Sequence, residues 1–206
     1  MKLRFETTKL MRITHRRPTA AIQSTIDRCW GRDVRSAAGA RAASTPYAEP
    51  DTIRRLAHRC AQTGERAFTA RDYGAVPIRH IVLLRFSNGV PTDQRQHMIE
   101  RFAGLKDDCL RDGRPYIRSI EHGRQESGEG NALGLGFEHA FLMTFDSEGN
   151  RNFHVGKPIV RNADCFAPVH HALKAAIGPM LAPQGALVFD FPPVPVDAPA
   201  CLTRSR

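Results

Sequence analysis

Three histidines occupy positions where an imidazole could do chemistry. His80 precedes Val82 and Leu84 on one parity of the run Ile78 to Phe86, and His139 precedes Phe141 and Met143 on one parity of a second run. His170 lies in PVHHALKAAIGPML, a segment with helical composition. An imidazole among apolar side chains has a pKa that its surroundings move easily, which suits general acid–base work. The same position also suits a structural histidine bonded to a neighbouring backbone or side-chain group, since buried polar groups are nearly always paired.

Asp164, Cys165, His170 and His171 invite a metal reading. Adjacent histidines point in different directions on a helix, and no i, i+4 ligand pair is present, so no metal is assigned. Gly128, Gly130, Gly134 and Gly136 resemble a phosphate loop only superficially. They lead into a strand and carry no Gly-Lys-Ser/Thr, so the backbone cradle for phosphate is missing, and a connection or a loop at a pocket mouth is expected.

The elements that must position these groups follow from periodicity. Ile78 to Phe86, IRHIVLLRF, is expected to be a strand buried on much of both faces. Thr92 opens a helix in which Met98, Phe102, Leu105 and Cys109, with Ile99 alongside, form the stripe of a helix lying on a sheet, ended by Asp112-Gly113. Tyr116 to Arg124 and Glu138 to Phe145 alternate as strands. Asp146-Ser147-Glu148-Gly149 turns the chain into a second helical region that is interrupted by Pro158 and Pro168 and then runs from about Val169 to Met180, and ALVFDF, Ala186 to Phe191, is the fourth strand. The order is strand, helix, strand, strand, helix, strand: a ferredoxin-like α+β domain over 78–191, an antiparallel four-stranded sheet with two helices on one face. The helix-free face needs a cover, and a second copy of the sheet is the simplest.

Charge divides the chain. Residues 1–77 hold 15 basic and 7 acidic side chains, whereas residues 78–206 hold 15 and 14, so +8 of the net +9 belongs to the extension. The nearly neutral domain argues against specific nucleic-acid binding. Residues 1–77 are expected to be a largely flexible basic extension with one short helix near 51–63, in which Ile53, Leu56, Ala57 and Cys60 share a face. Its start resembles an organellar transit peptide, a flexible tail or a misassigned start. Residues 192–206 form a proline-rich tail. Five cysteines, Cys29, Cys60, Cys109, Cys165 and Cys201, show no C-x-x-C pair, so reduced thiols and a cytoplasmic location are expected, with organellar import as the alternative. No apolar run approaches the ~20 residues of a membrane helix.

IRHIVLLRF, GRQESGEG, EHAFLMTFDS, PVHHALKAAIGPML and LVFDF, in this order and spacing, resemble the stress-responsive dimeric A/B barrel (Dabb) domain. The resemblance covers roughly residues 78–191 and implies a homodimer in which two sheets close into a barrel. Family members include plant stress-associated proteins and polyketide cyclases, and related barrels include monooxygenases and isomerases that often need no cofactor. None is therefore expected here.

Likeness to the family's plant polyketide cyclase implies catalytic roles for His80 and His170. It also implies a ligand pocket between sheet and helices lined by Val82, Leu84, Met98, Ile99, Phe102, Phe141, Met143, Leu173 and Val188, with His139 and Phe153 added. Phe153 falls where the cyclase has its catalytic tyrosine, and Tyr47, Tyr73 and Tyr116 lie elsewhere in the sequence.

Two functional readings follow. One is a cofactor-independent cyclase, isomerase or monooxygenase-like protein acting on a small apolar, aromatic or polyketide-like ligand, with His170 as base and His80 holding a carbonyl or carboxylate. The other is a non-catalytic stress-response dimer with structural histidines. A cavity of roughly several hundred Å³ faced by His170 favours the first, and a filled core favours the second.

Overall fold

The computed structural model describes residues 51–128 and 135–194. The expectations for residues 1–50, for Cys29, Tyr47, Cys201, Gly130 and Gly134, and for the tail beyond residue 194 lie outside these.

Nine residues of alternating pattern form β1 (Ile78–Phe86). Ile78, His80, Val82, Leu84 and Phe86 are buried under helices, while the intervening Arg79, Ile81, Leu83 and Arg85 are only half-buried, so one face alone is fully covered. β1 sits inside a four-stranded antiparallel sheet of spatial order β4–β5–β1–β6, in which β4 is Ile117–Arg124, β5 is His139–Phe145 and β6 is Leu181–Phe191. Fold class and strand order agree with the ferredoxin-like expectation.

The fourth strand starts five residues earlier than Ala186. Leu181 pairs with Phe86 across a register shift, which lets the chain enter the ladder directly from the preceding helix.

α3 (Thr92–Ala103) and the single turn α4 (Leu105–Asp108) place Met98, Ile99, Phe102 and Leu105 against the sheet. The helix ends before Asp112-Gly113. Those two residues, with φ of 52° and 71°, instead form the turn of a small hairpin between β2 (Leu110–Arg111) and β3 (Arg114–Pro115). Asp-Gly suits such a turn because both central residues need positive φ.

After β5 the chain makes α5 (Glu148–Val155), capped by the Ser147 side chain accepting from the Asn150 amide at 3.1 Å. α6 (Pro168–Ile177) follows, with proline at its first helical position, where a missing N–H is harmless.

The short helix expected near 51–63 is present and docked. α1 (Asp51–Thr63) and the short α2 (Glu65–Phe68) bury Leu56, Cys60 and Phe68 in a second core with Val160 and Cys165. The loop behind them is bound to α5 through its backbone: Glu148 N–H donates to the Gly74 carbonyl at 3.0 Å and Gly149 N–H to the Tyr73 carbonyl at 2.9 Å. Gly149 has no alternative here, because a Cβ would stand 1.7 Å from the Ala70 carbonyl oxygen. A stripe of one short helix cannot be stable alone, and the exposed flank of α5 and the 156–166 loop supply its partner.

Candidate functional site

Beneath α3, the space between the sheet and its helices is packed with side chains. Phe102 and Phe141 stack with centroids 4.0 Å apart, and Val82, Leu84, Met98, Ile99, Met143, Phe153 and Leu173 pack into the same core. None of these nine lines the cavity described below, although the family resemblance implies a pocket wall there; bulky phenyl and thioether groups pack against one another instead.

His139 lies at the far end of β5, opposite Leu84, and shares a 3.0 Å hydrogen bond with His122. Burial, then His122 and Arg124, push its pKa down.

A cavity of about 410 Å³ opens instead beside β6, where His80, His170 and Val188 converge. Its walls come from α1 (Ile53, Leu56), Phe68, α5 (Arg151, Asn152), the Gly156 to Val160 loop, α6 (His170, Lys174) and β6 (Val188, Asp190). Three of the thirteen expected site residues therefore reach the hollow, and the fold brings them there with partners the sequence reading did not name.

Asp190 is the first of these. It faces His80 across the β1–β6 ladder, and its Oδ1 lies 2.5 Å from His80 Nδ1 while its Oδ2 accepts from the Arg151 guanidinium. Burial works against the carboxylate, yet the hydrogen bond and charge of His80, joined by Arg151, outweigh it and hold the Asp190 pKa below the ordinary carboxylate value. A carboxylate can only accept, so His80 Nδ1 donates and Nε2 is the ring's remaining nitrogen.

His170 is fixed in the same way. Its Nδ1 lies 2.6 Å from the His154 carbonyl oxygen, an acceptor only, so Nδ1 carries the proton and the neutral ring keeps its lone pair on Nε2. Burial, and then the Lys174 ammonium, keep the His170 pKa well below its usual value, so the ring is neutral at neutral pH. Lys174 lies one helical turn beyond His170 and donates to the Val155 carbonyl at 3.0 Å.

Behind these stands a buried aromatic cluster. The rings of His154 and His170 stack with centroids 3.7 Å apart, and His154 Nδ1 lies 3.0 Å from the Tyr116 hydroxyl. Burial and the neighbouring Cys109 push the Tyr116 pKa up, so the phenol stays protonated. Burial likewise pushes His154 well down. Although Tyr116 lies elsewhere in the sequence than Phe153, its ring meets Phe153 edge-on at 5.3 Å, bringing a hydroxyl into the histidine cluster from the residue before β4.

Among the described residues no group of three or more His, Cys, Asp or Glu side chains is placed to hold a metal ion, and no helix is long and apolar enough to cross a membrane. Asp164 is exposed, Cys165 belongs to the second core and His170 to the cluster, which separates the residues adjacent in sequence.

An antiparallel sheet of this order, with helices on one face and imidazoles at one end of its central strand, defines a ferredoxin-like α+β protein. Residues 78–193 match the Stress responsive A/B Barrel Domain, and the chain belongs to that family. Solved structures similar to it include an Arabidopsis thaliana protein, at 22% identity and a TM-score of 0.45, covering 58% of this chain and 97% of that one. A hydroxynitrile lyase from Passiflora edulis is similar at 20% identity and a TM-score of 0.42, covering 57% and 93%. A dimeric ferredoxin-like protein of unknown function from Bacteroides fragilis is similar at 18% identity and a TM-score of 0.39, covering 56% and 95%. No curated protein matches the sequence.

Proposed function

We propose that this chain is a homodimeric, cofactor-independent protein that binds a small apolar or aromatic ligand and moves a proton on it with His170. The observation that carries this reading is the 410 Å³ cavity bordered by His170, His80 and Asp190. His170 offers a neutral ring whose Nδ1 proton is committed to a backbone carbonyl, which leaves Nε2 as the nitrogen that can accept a proton. His80, oriented by Asp190, holds a carbonyl or carboxylate of the ligand. Proton transfer by a positioned base accelerates a reaction by roughly 10²–10⁴, a range that suits cyclisation, isomerisation or removal of an acidic C–H proton.

The homodimer is supported by the helix-free face of the sheet. Ile81 pairs with Leu142 and Phe189, and Leu83 with Leu187, giving an apolar band in which Leu187 and Phe189 remain exposed. A second copy of that band is its natural cover.

A second reading, a non-catalytic stress-response dimer, has one observation in its favour: His80, His154 and His170 are each at most 3% exposed and packed against one another or Phe145.

The test is a thermal-shift screen of aromatic and polyketide-like acids, followed by solvent-deuterium exchange at acidic C–H positions of the hits. Wild type should catalyse exchange, and His170→Ala should remove it while leaving the dimer intact. Equal exchange by both proteins would eliminate His170 as the base and leave the structural reading.

A further inference from the structure

One wall of the cavity lies outside the family domain. The match to the family begins at residue 78, yet Thr52, Ile53, Leu56 and Phe68 border the same hollow as His80 and His170. This wall is anchored. Arg59 pairs with Glu148 at 3.1 Å, Asn152 Nδ2 donates to the Phe68 carbonyl at 2.8 Å, and Glu65 accepts from the amides of Arg161 and Asn162 at 3.0 and 2.7 Å. α1 is thus a fixed surface that any occupant must fit.

The lining is chemically two-sided. Ile53, Leu56, Phe68, Ile159 and Val160 make one side apolar. The other carries the cations Arg151, Lys157 and Lys174 against a single carboxylate, Asp190, which His80 and Arg151 already engage. An occupant that pairs an apolar body with a negative head matches both sides, whereas a cation would meet the net positive charge.

We propose that Ile53 and Leu56 of α1 are specificity-determining residues of this site, and that it takes a compact amphiphilic anion with its ring or chain on α1 and its anionic head toward Lys174. This rests on the reading of the cavity as a ligand site, but not on His170 acting as a base.

The experiment uses the full chain and two fluorescent probes of one skeleton, the anion anilinonaphthalene sulfonate and the uncharged N-phenyl naphthylamine. Wild type is expected to bind the anion about tenfold more tightly than the neutral probe. Ile53→Asp, at a half-buried position, should weaken both by about tenfold with an unchanged melting temperature and circular dichroism. Lys174→Met should erase the preference for the anion, and Lys157→Gln, in the 156–160 loop, should reduce it if Lys174→Met does not fold.

Equal affinity for both probes in wild type would overturn the anionic head. Binding indifferent to Ile53→Asp would overturn the wall, because it would locate the probe elsewhere, such as on the open sheet face. Wild type that binds neither probe would overturn the proposal whole. Probe binding is measured without turnover, so loss of exchange in His170→Ala and loss of probe binding in Ile53→Asp report separately on the two proposals.

Discussion

His80 and Asp190 are 110 residues apart in sequence and directly opposite each other on β1 and β6, with Nδ1 and Oδ1 separated by 2.5 Å. The sheet register alone makes this pair. Because the shared face is covered by helices, both groups are withdrawn from bulk water and depend on one another and on Arg151 for partners.

Asp190→Asn should therefore be costly. It leaves the Arg151 guanidinium, 9% exposed, without its counter-charge, and breaking a buried ionic contact by removing one partner costs about 3 kcal/mol. Urea denaturation is the measurement. A change below about 0.5 kcal/mol, the usual size for a surface substitution, would mean that the pair is not a structural unit.

Acid should destabilise the fold through His154 and His170. Both have folded-state pKa values pushed below the ordinary 6.5, first by burial. Below about pH 6.5 the unfolded chain takes up protons that the folded one does not, so stability falls as pH falls, by up to about 1.4 kcal/mol per pH unit for each ring. Above that pH both states are neutral there and these rings contribute no slope. His154→Phe should flatten the fall in urea midpoint between about pH 6.5 and pH 5; an unchanged slope would assign the acid sensitivity elsewhere.

Gly149→Ala should detach the segment before β1. A methyl group 1.7 Å from the Ala70 carbonyl oxygen cannot be accommodated unless that loop moves, and overpacking of this kind costs about 1–3 kcal/mol. Limited proteolysis should reveal new cleavage between residues 64 and 77. Protection equal to wild type would show that the contact relaxes without undocking.

Phe189→Glu tests the dimer. A charge placed in the Ile81, Leu83, Leu142, Leu187 band should turn a sedimenting dimer into a monomer without unfolding it, since Phe189 is 57% exposed in the single chain. A wild-type chain that already sediments as a monomer at tens of micromolar would remove the proposal.

Much of the architecture was legible in the chain. Two-residue alternation at Ile78 to Phe86 and Glu138 to Phe145, and the four- and three-residue spacing from Met98 to Cys109, are enforced by burial on one face, so they mark elements and core together. Two site residues also left a signal. Asp190 is the one charge on the parity of Ala186 and Val188, and Lys174 follows His170 by one helical turn. Tyr116 and His154 left none, because a tyrosine at a strand start and a histidine near a helix end are ordinary there.

The sequence by itself determined where the four main strands and the principal helices lie and that they form one α+β sheet domain. Only the tertiary structure decided that side chains fill the space beneath α3, that the hollow lies beside β6, and that α1 walls it. The physical reason is that local periodicity records which face of an element is buried. Where volume is left over, and which distant side chains meet across it, depends on the sheet register and the summed size of side chains far apart in the chain.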